Sequence, residues 1–193
     1  SEMCIRDSLN IDELSIPGEH NLQNFLAAST CSHLMGISQN QIVKSMKEFK
    51  GVEHRLEYVR TINEADYIND SKATNIDSVI VAINTYKQPI VLILGGFNKG
   101  ANFRLLLPHI KSSHVRDIVS YGDAGGQINT ALGDAVRSVQ VTDLSSAVKK
   151  AQLMAAPGDI VLLSPGCASY DEFSNFEERG NHFKSIIKNL AAS

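Results

Sequence analysis

Ile90-Val91-Leu92-Ile93-Leu94-Gly95-Gly96 sets five consecutive apolar residues before a glycine pair. A run of this length suits a strand better than a buried helix, and apolar residues at every position mean that both faces of the strand are covered. Ile160-Val161-Leu162-Leu163 repeats the pattern, with Ser164-Pro165-Gly166 expected to form a turn after it. Strands of this kind belong to parallel sheets, whose crossover connections lay helices on each side.

The flanking sequence supplies the crossovers. Further strands are expected at 56–62, 67–69, 117–121 and 138–141, and helices at 76–86, 103–110, 124–132, 144–155 and 172–190. The expected fold of residues 52–193 is therefore α/β and Rossmann-like, a mainly parallel sheet with helices on both faces. Ahead of it, residues 9–51 carry a short strand-like start, a Pro17-Gly18 turn and two helical stretches, 21–35 and 38–49, the first closed by Gly36. Two helices alone close no core, so this segment reads as the tail of a preceding domain, with 51–55 as the joint. The first eight residues, SEMCIRDS, fit neither a signal core nor a helix and resemble translated adapter sequence, so they are set aside as a non-native prefix.

Composition excludes several classes. The chain has 193 residues, a formal charge of −3 and 43% hydrophobic residues, enough for one well-buried domain and a smaller piece. Such a balance gives no bulk attraction to nucleic acid or anionic membrane, so small molecules are the expected partners and any anion must meet locally placed cations. No run approaches the roughly 18 to 20 apolar residues of a membrane span. Cys4, Cys31 and Cys167 show no disulfide or metal spacing, which points to the cytoplasm, and the histidines have no zinc-ligand pattern.

Three polar motifs follow strands and precede helices: DSKATN (70–75), GGFNKG (95–100) and SPGCASYDEF (164–173). Loops at the carboxyl ends of parallel strands converge on one crevice, so motifs rich in Lys, Ser, Thr and Gly suggest a shared anion site. Each also has a plainer reading. Asn75 or Thr74 can simply cap the next helix, and Lys72 and Lys99 can be solvated charges. Ser169 and Asp171 are expected where the last helix begins, with its amides facing an anion. Cys167 lacks an identifiable activating partner and is expected to pack rather than react. The GxxxxGK[ST] spacing of a phosphate-binding loop occurs nowhere.

GEHN (18–21) with Asn24, HR (54–55), NDSKATN (69–75), GGxxKG (95–100) and SPGCASYDEFSNFEERG (164–180) together resemble the C-terminal domain of the Mur ligases, in the branch that adds D-glutamate. The DNPR string of the diaminopimelate- or lysine-adding branch is absent. The resemblance implies ATP-dependent amide formation in peptidoglycan synthesis: the carboxylate of UDP-N-acetylmuramoyl-L-alanine is phosphorylated, and the D-glutamate amine attacks the acyl phosphate. It implies that Lys99 and Thr74 hold one carboxylate of D-glutamate, while Ser169 and the Phe176 backbone hold the other. Asn24 would face the nucleotide base and Arg55 a phosphate, with Asp70 and Lys72 helping to close this domain on ATP and acceptor. Phe97 and Asn102 depart from the family pattern around Lys99.

In the family, ATP and Mg2+ are held mostly by a central domain of which residues 9–51 would be the tail, and the nucleotide sugar by an N-terminal domain. The chain is accordingly expected to carry no catalytic residue or metal ligand of its own, to be a monomer, and to lack ligase activity alone. Other readings are another Mur ligase or a folylpolyglutamate synthase-type ligase, which amino-acid competition would separate, and a stand-alone module binding a nucleotide or acidic metabolite. A phosphate-binding loop in an upstream reading frame would favour the ligase, and a native start near Leu9 the module.

Overall fold

A computed structural model describes residue 14 and residues 19–190; the expected prefix, strand-like start and Pro17-Gly18 turn lie outside these or nearly so. The chain divides into two units, with the boundary between Gly51 and Val52. The first holds helices α1 (Glu19–Leu34) and α2 (Gln39–Glu48). Gly36 adopts φ +86°, a conformation that stops α1 at little steric cost. Ser38 begins α2, its N–H and hydroxyl both donating to Gln41 Oε1 at 3.3 and 2.7 Å. Phe25 and Phe49 meet edge to face at 5.9 Å, and the Ser29 hydroxyl donates to Met46 Sδ at 3.2 Å.

The second unit is built on a six-stranded sheet. In chain order its elements are β1 (Glu57–Ile62), β2 (Ala65–Asn69), α3 (Ile76–Thr85), β3 (Ile90–Gly95), a 3-10 turn (Phe103–Leu106), α4 (Leu107–Ser112), β4 (Val115–Tyr121), α5 (Gly125–Leu132), β5 (Arg137–Gln140), α6 (Leu144–Met154), β6 (Ile160–Gly166) and α7 (Phe176–Asn189). The strand order is β1-β2-β6-β3-β4-β5; β1 is antiparallel to β2 and every other neighbouring pair is parallel. The β1–β2 hairpin turns through Asn63 and Glu64, both at positive φ, which matches the right-handed twist of the two strands.

Alternation along the central strands divides the core into two layers. Ile90, Leu92, Leu94 and Leu162 face α3, the 3-10 turn, α4 and α5 through Val79, Ile83, Leu106 and Ile128. Val91, Ile93, Val161 and Leu163 face α6 and α7 through Leu144, Val148, Phe183 and Ile187. The doubly covered sheet expected from the IVLIL run is present.

Three boundaries differ from expectation. The helix expected over 103–110 is a 3-10 turn followed by a short α4; Asn102 Oδ1 caps the turn by accepting the Arg104 N–H at 3.2 Å, and Pro108 lies at the start of α4. Ser164-Pro165-Gly166 is the end of β6 rather than a turn, with Pro165 at the step where the β3–β6 register shifts and a ladder N–H is not required. The last helix starts at Phe176, not Glu172, because Asn175 caps it by accepting the Glu178 N–H at 2.7 Å. Ser169 and Asp171 therefore lie ahead of α7, in a turn where Ser169 O accepts the Glu172 and Phe173 N–H groups. Among the described residues, no helix is long and apolar enough to cross a membrane.

Candidate functional site

Strand order decides where the motifs meet. β6 lies between β2 and β3, so the loops leaving these three strands are neighbours at the carboxyl edge of the sheet. Helices following β2 and β3 pack on one face while α7, following β6, packs on the other. The chain thus leaves adjacent strands in opposite directions, which opens a crevice at this topological switch point.

Direct bonds join the three loops. Phe97 and Ala168 exchange backbone bonds, Phe97 N to Ala168 O at 2.9 Å and Ala168 N to Phe97 O at 3.1 Å, tying GGFNKG to SPGCAS. Gly166 N donates to Ala73 O at 2.9 Å, tying SPGCAS to DSKATN. Gly96 has φ +119°, and a Cβ there would sit 2.3 Å from Ala168 O, so the close approach of the loops requires glycine.

Beneath them lies Arg179, the largest fully buried side chain among the described residues. Its Nε donates to Ser71 Oγ at 2.9 Å, one terminal nitrogen to Ser71 O at 2.8 Å, and the other to Cys167 O at 3.0 Å. A Cβ on Gly96 would stand 3.1 Å from the same guanidinium. Ser71 passes the link onward, its hydroxyl donating to Phe176 O at 2.8 Å. One planar fork therefore anchors two loops directly and packs under the third.

The residues expected in the site are distributed as follows. Lys99 is exposed, its ammonium 5.1 Å from the Tyr170 ring centroid, next to buried Ser169. Lys72 is exposed and 5.8 Å from the Phe176 ring, while Thr74 is half-buried on the same loop. The Phe176 N–H is the first amide of α7, a position that no carbonyl of the helix can serve. Asn75 caps α3 by accepting the Ser78 N–H at 2.9 Å, so the plainer reading holds for that residue. Arg55 is exposed at the start of the second unit, and Asn24 is exposed on α1 in the first.

Asp70 turns inward. Its carboxylate accepts the Ser164 hydroxyl at 2.8 Å and the Leu56 N–H at 3.2 Å. Burial pushes its pKa up to about 7, against these two bonds and the nearby Arg55 charge. Asp70 therefore fastens the start of the unit, where His54 and Leu56 both hold positive φ. His54 is buried beside Asn69, its Nδ1 3.0 Å from Asn69 Nδ2, and burial lowers its pKa. Cys167 is buried with its thiol pushed up to about 12, which suits packing and opposes thiolate chemistry.

Arg179 has no role among the residues expected in the site, although the sequence carries a signal for it. Phe176, Arg179, Gly180, Phe183 and Ile187 recur at helical spacing, and a single charged residue on such an apolar stripe marks a buried polar anchor. Among the described residues no group of three or more His, Cys, Asp or Glu converges as a site for a metal ion.

The chain is 46% identical over 181 residues to the UDP-N-acetylmuramoylalanine–D-glutamate ligase of Pelotomaculum thermopropionicum, covering 93% of this chain and 40% of that protein. The corresponding ligase of Clostridioides difficile is 44% identical over 184 residues, covering 94% and 41%. The chain thus spans about two fifths of the curated relatives it matches. Among solved structures, the UDP-N-acetylmuramate-alanine ligase MurC of Thermotoga maritima superposes with TM-score 0.68 at 18% identity, over 91% of this chain and 39% of that one. The folylpolyglutamate synthase of the same organism gives 0.61 at 15%, over 93% and 41%, a likeness of fold alone. The family model described as Mur ligase, glutamate ligase domain, matches residues 54–167, more than half of the chain and the span that carries all three strand-end loops as far as Cys167, so the chain belongs to the Mur ligase family through this domain.

Proposed function

We propose that this chain supplies the D-glutamate-binding wall of an ATP-dependent ligase that joins D-glutamate to UDP-N-acetylmuramoyl-L-alanine in peptidoglycan synthesis. The observation that carries the reading is the bonding of three Lys-, Ser- and Thr-bearing loops into one crevice at the switch point of the sheet. Relatives bearing this ligase's name at 42 to 46% identity support the choice of amino acid. D-glutamate presents two carboxylates and an amine that must stay free to attack, so the site needs cationic or hydroxyl donors at two separate ends. In this reading Lys99 and Thr74 form one end, and Ser169 with the Phe176 N–H the other. Asn24 and Arg55 face the nucleotide, and Asp70 with Lys72 supports closure on ATP and acceptor. ATP and Mg2+ serve the whole enzyme and are held mostly by residues beyond this chain; the setting is cytoplasmic and the enzyme monomeric.

The test uses a full-length ligase carrying this chain as its C-terminal part. Removing a charged partner from a carboxylate costs roughly 1.5–3 kcal/mol, so Lys99→Ala is expected to raise the KM for D-glutamate about 10- to 100-fold with little change for ATP. Unchanged KM and kcat would sink the assignment. The 193-residue polypeptide alone, given ATP, UDP-N-acetylmuramoyl-L-alanine and D-glutamate, is expected to release no phosphate. Because other Mur ligases and folylpolyglutamate synthases share the fold, competition among amino acids is the second check, and D-glutamate is expected to compete best.

A further inference from the structure

Arg179 is a buried cation whose partners are all neutral. It bonds Ser71 Oγ, Ser71 O and Cys167 O, and among the described residues it forms no ion pair. The acids of the same string make no direct bond to it: Asp171 Oδ2 accepts the Asp123 N–H at 3.3 Å, and exposed Glu172, which feels the Arg179 charge at longer range, accepts the Leu144 N–H at 3.2 Å through either oxygen. Burying a guanidinium without a bonded counter-charge is unfavourable, and a cation in the first turns of a helix also opposes the helix dipole. Glu177 and Glu178 offset the dipole, but both are exposed. An apolar residue would satisfy the stripe that Arg179 shares with Phe183 and Ile187 without that cost. The charge is instead kept under an anion crevice, with Gly96 stripped of a side chain above it.

Resting on the D-glutamate reading, we propose that Arg179 is a positioning residue whose close counter-charge, beyond the exposed Glu172, is the substrate carboxylate held at the Ser169 and Phe176 end. It does not touch the ligand. Its field acts through space, past Ser71 and the first turn of α7, in a fully buried position where a charge is poorly screened. Charge, and not only the hydrogen-bond frame, then governs affinity for the acid.

The experiment compares Arg179→Met, Arg179→Lys and Ser71→Ala in the full-length ligase, with KM and kcat measured for D-glutamate and ATP. Arg179→Met is expected to raise the D-glutamate KM at least about tenfold with the ATP KM within about twofold. Arg179→Lys keeps the charge and loses the fork, and is expected to recover most of that loss. Ser71→Ala keeps the charge and both backbone acceptors, and is expected to stay within about threefold of the parent. Equal losses in the Lys and Met variants, matched rises for D-glutamate and ATP, or a tenfold rise from Ser71→Ala would each overturn the proposal. If Arg179→Met does not fold, the Lys and Ala variants decide it, and an Arg179→Lys protein that also fails to fold overturns it by assigning the residue to the fold alone. The Lys99→Ala enzyme separates the two layers: no effect there sinks the D-glutamate reading, whereas an effect there with none from Arg179→Met sinks only the role of Arg179.

Discussion

Replacing Asp70 by Asn should abolish a pH dependence of stability that this one carboxyl creates. Asp70 is 5% exposed, and burial raises its pKa from the ordinary 3.8 to about 7. An acid whose pKa is raised by folding contributes full stability below the unfolded value. That contribution declines as pH rises toward the folded value and is gone above it. Between pH 5 and pH 8 the parent should lose roughly 2–3 kcal/mol from this group, at 1.36 kcal/mol per unit of pKa difference. Asn retains both bonds in neutral form: its Oδ1 can accept the Leu56 N–H, and its Nδ2 can donate to Ser164 Oγ. Asp70→Asn should therefore match the parent near pH 5 within about 1.5 kcal/mol and exceed it at pH 8 by roughly 2–4 kcal/mol. Urea unfolding followed by tyrosine fluorescence is the assay. All five tyrosines lie in residues 52–193 and there is no tryptophan, so the signal reports on the second unit alone. A stability difference between the two proteins that is the same at both pH values, within about 0.5 kcal/mol, would refute the argument.

Gly96→Ala should destabilise the second unit by at least about 2 kcal/mol, because positive φ and a Cβ 2.3 Å from Ala168 O both resist the change; urea unfolding checks it, and a loss below about 0.5 kcal/mol would contradict the close approach. Asn75→Ala should cost about 1 kcal/mol by removing the cap of α3, and an unchanged unfolding midpoint would show that the cap contributes little. Asp117 resists burial only through Arg137 and Arg116, whose bonds hold its pKa below the usual range, so its contribution is present at neutral pH and is lost as pH falls through that lowered value. Asp117→Ala should cost about 1–2 kcal/mol at pH 7, since exposed Arg137 loses its carboxylate partner while half-exposed Arg116 keeps Asp159, and the deficit should shrink toward pH 3.

What the sequence disclosed follows from which interactions are local. The IVLIL run and the IVLL run specify doubly buried strands by composition, and β3 and β6 lie at the centre of the sheet. Strand order is non-local: nothing in residues 160–166 says that they insert between β2 and β3, and that insertion is what brings the three loops together. The expected start of α7 is too early because Asp171 and Glu172 have the composition of a first helical turn. Their carboxylates instead reach Asp123 and Leu144, in parts of the chain far from them in sequence.

The same distinction separates the grips of the site from its foundation. Lys99, Thr74 and Ser169 were legible as candidates because they are polar residues in strand-end loops, where side chains are free to meet a ligand. Arg179 lies ten residues beyond Ser169 on a helix, and its partners Ser71 and Cys167 belong to other elements. Its importance arises only after folding, when the Phe97–Ala168 bridge and the glycine at 96 draw the loops over it. Solved structures bearing the names of an alanine ligase and a folylpolyglutamate synthase share this fold at 18% and 15% identity, so the fold alone does not say which acid is bound. Under the proposed function, selection resides in charges placed at and under the crevice. There an exposed lysine, screened by solvent, is a weaker discriminator per unit charge than a buried arginine held by neutral acceptors alone.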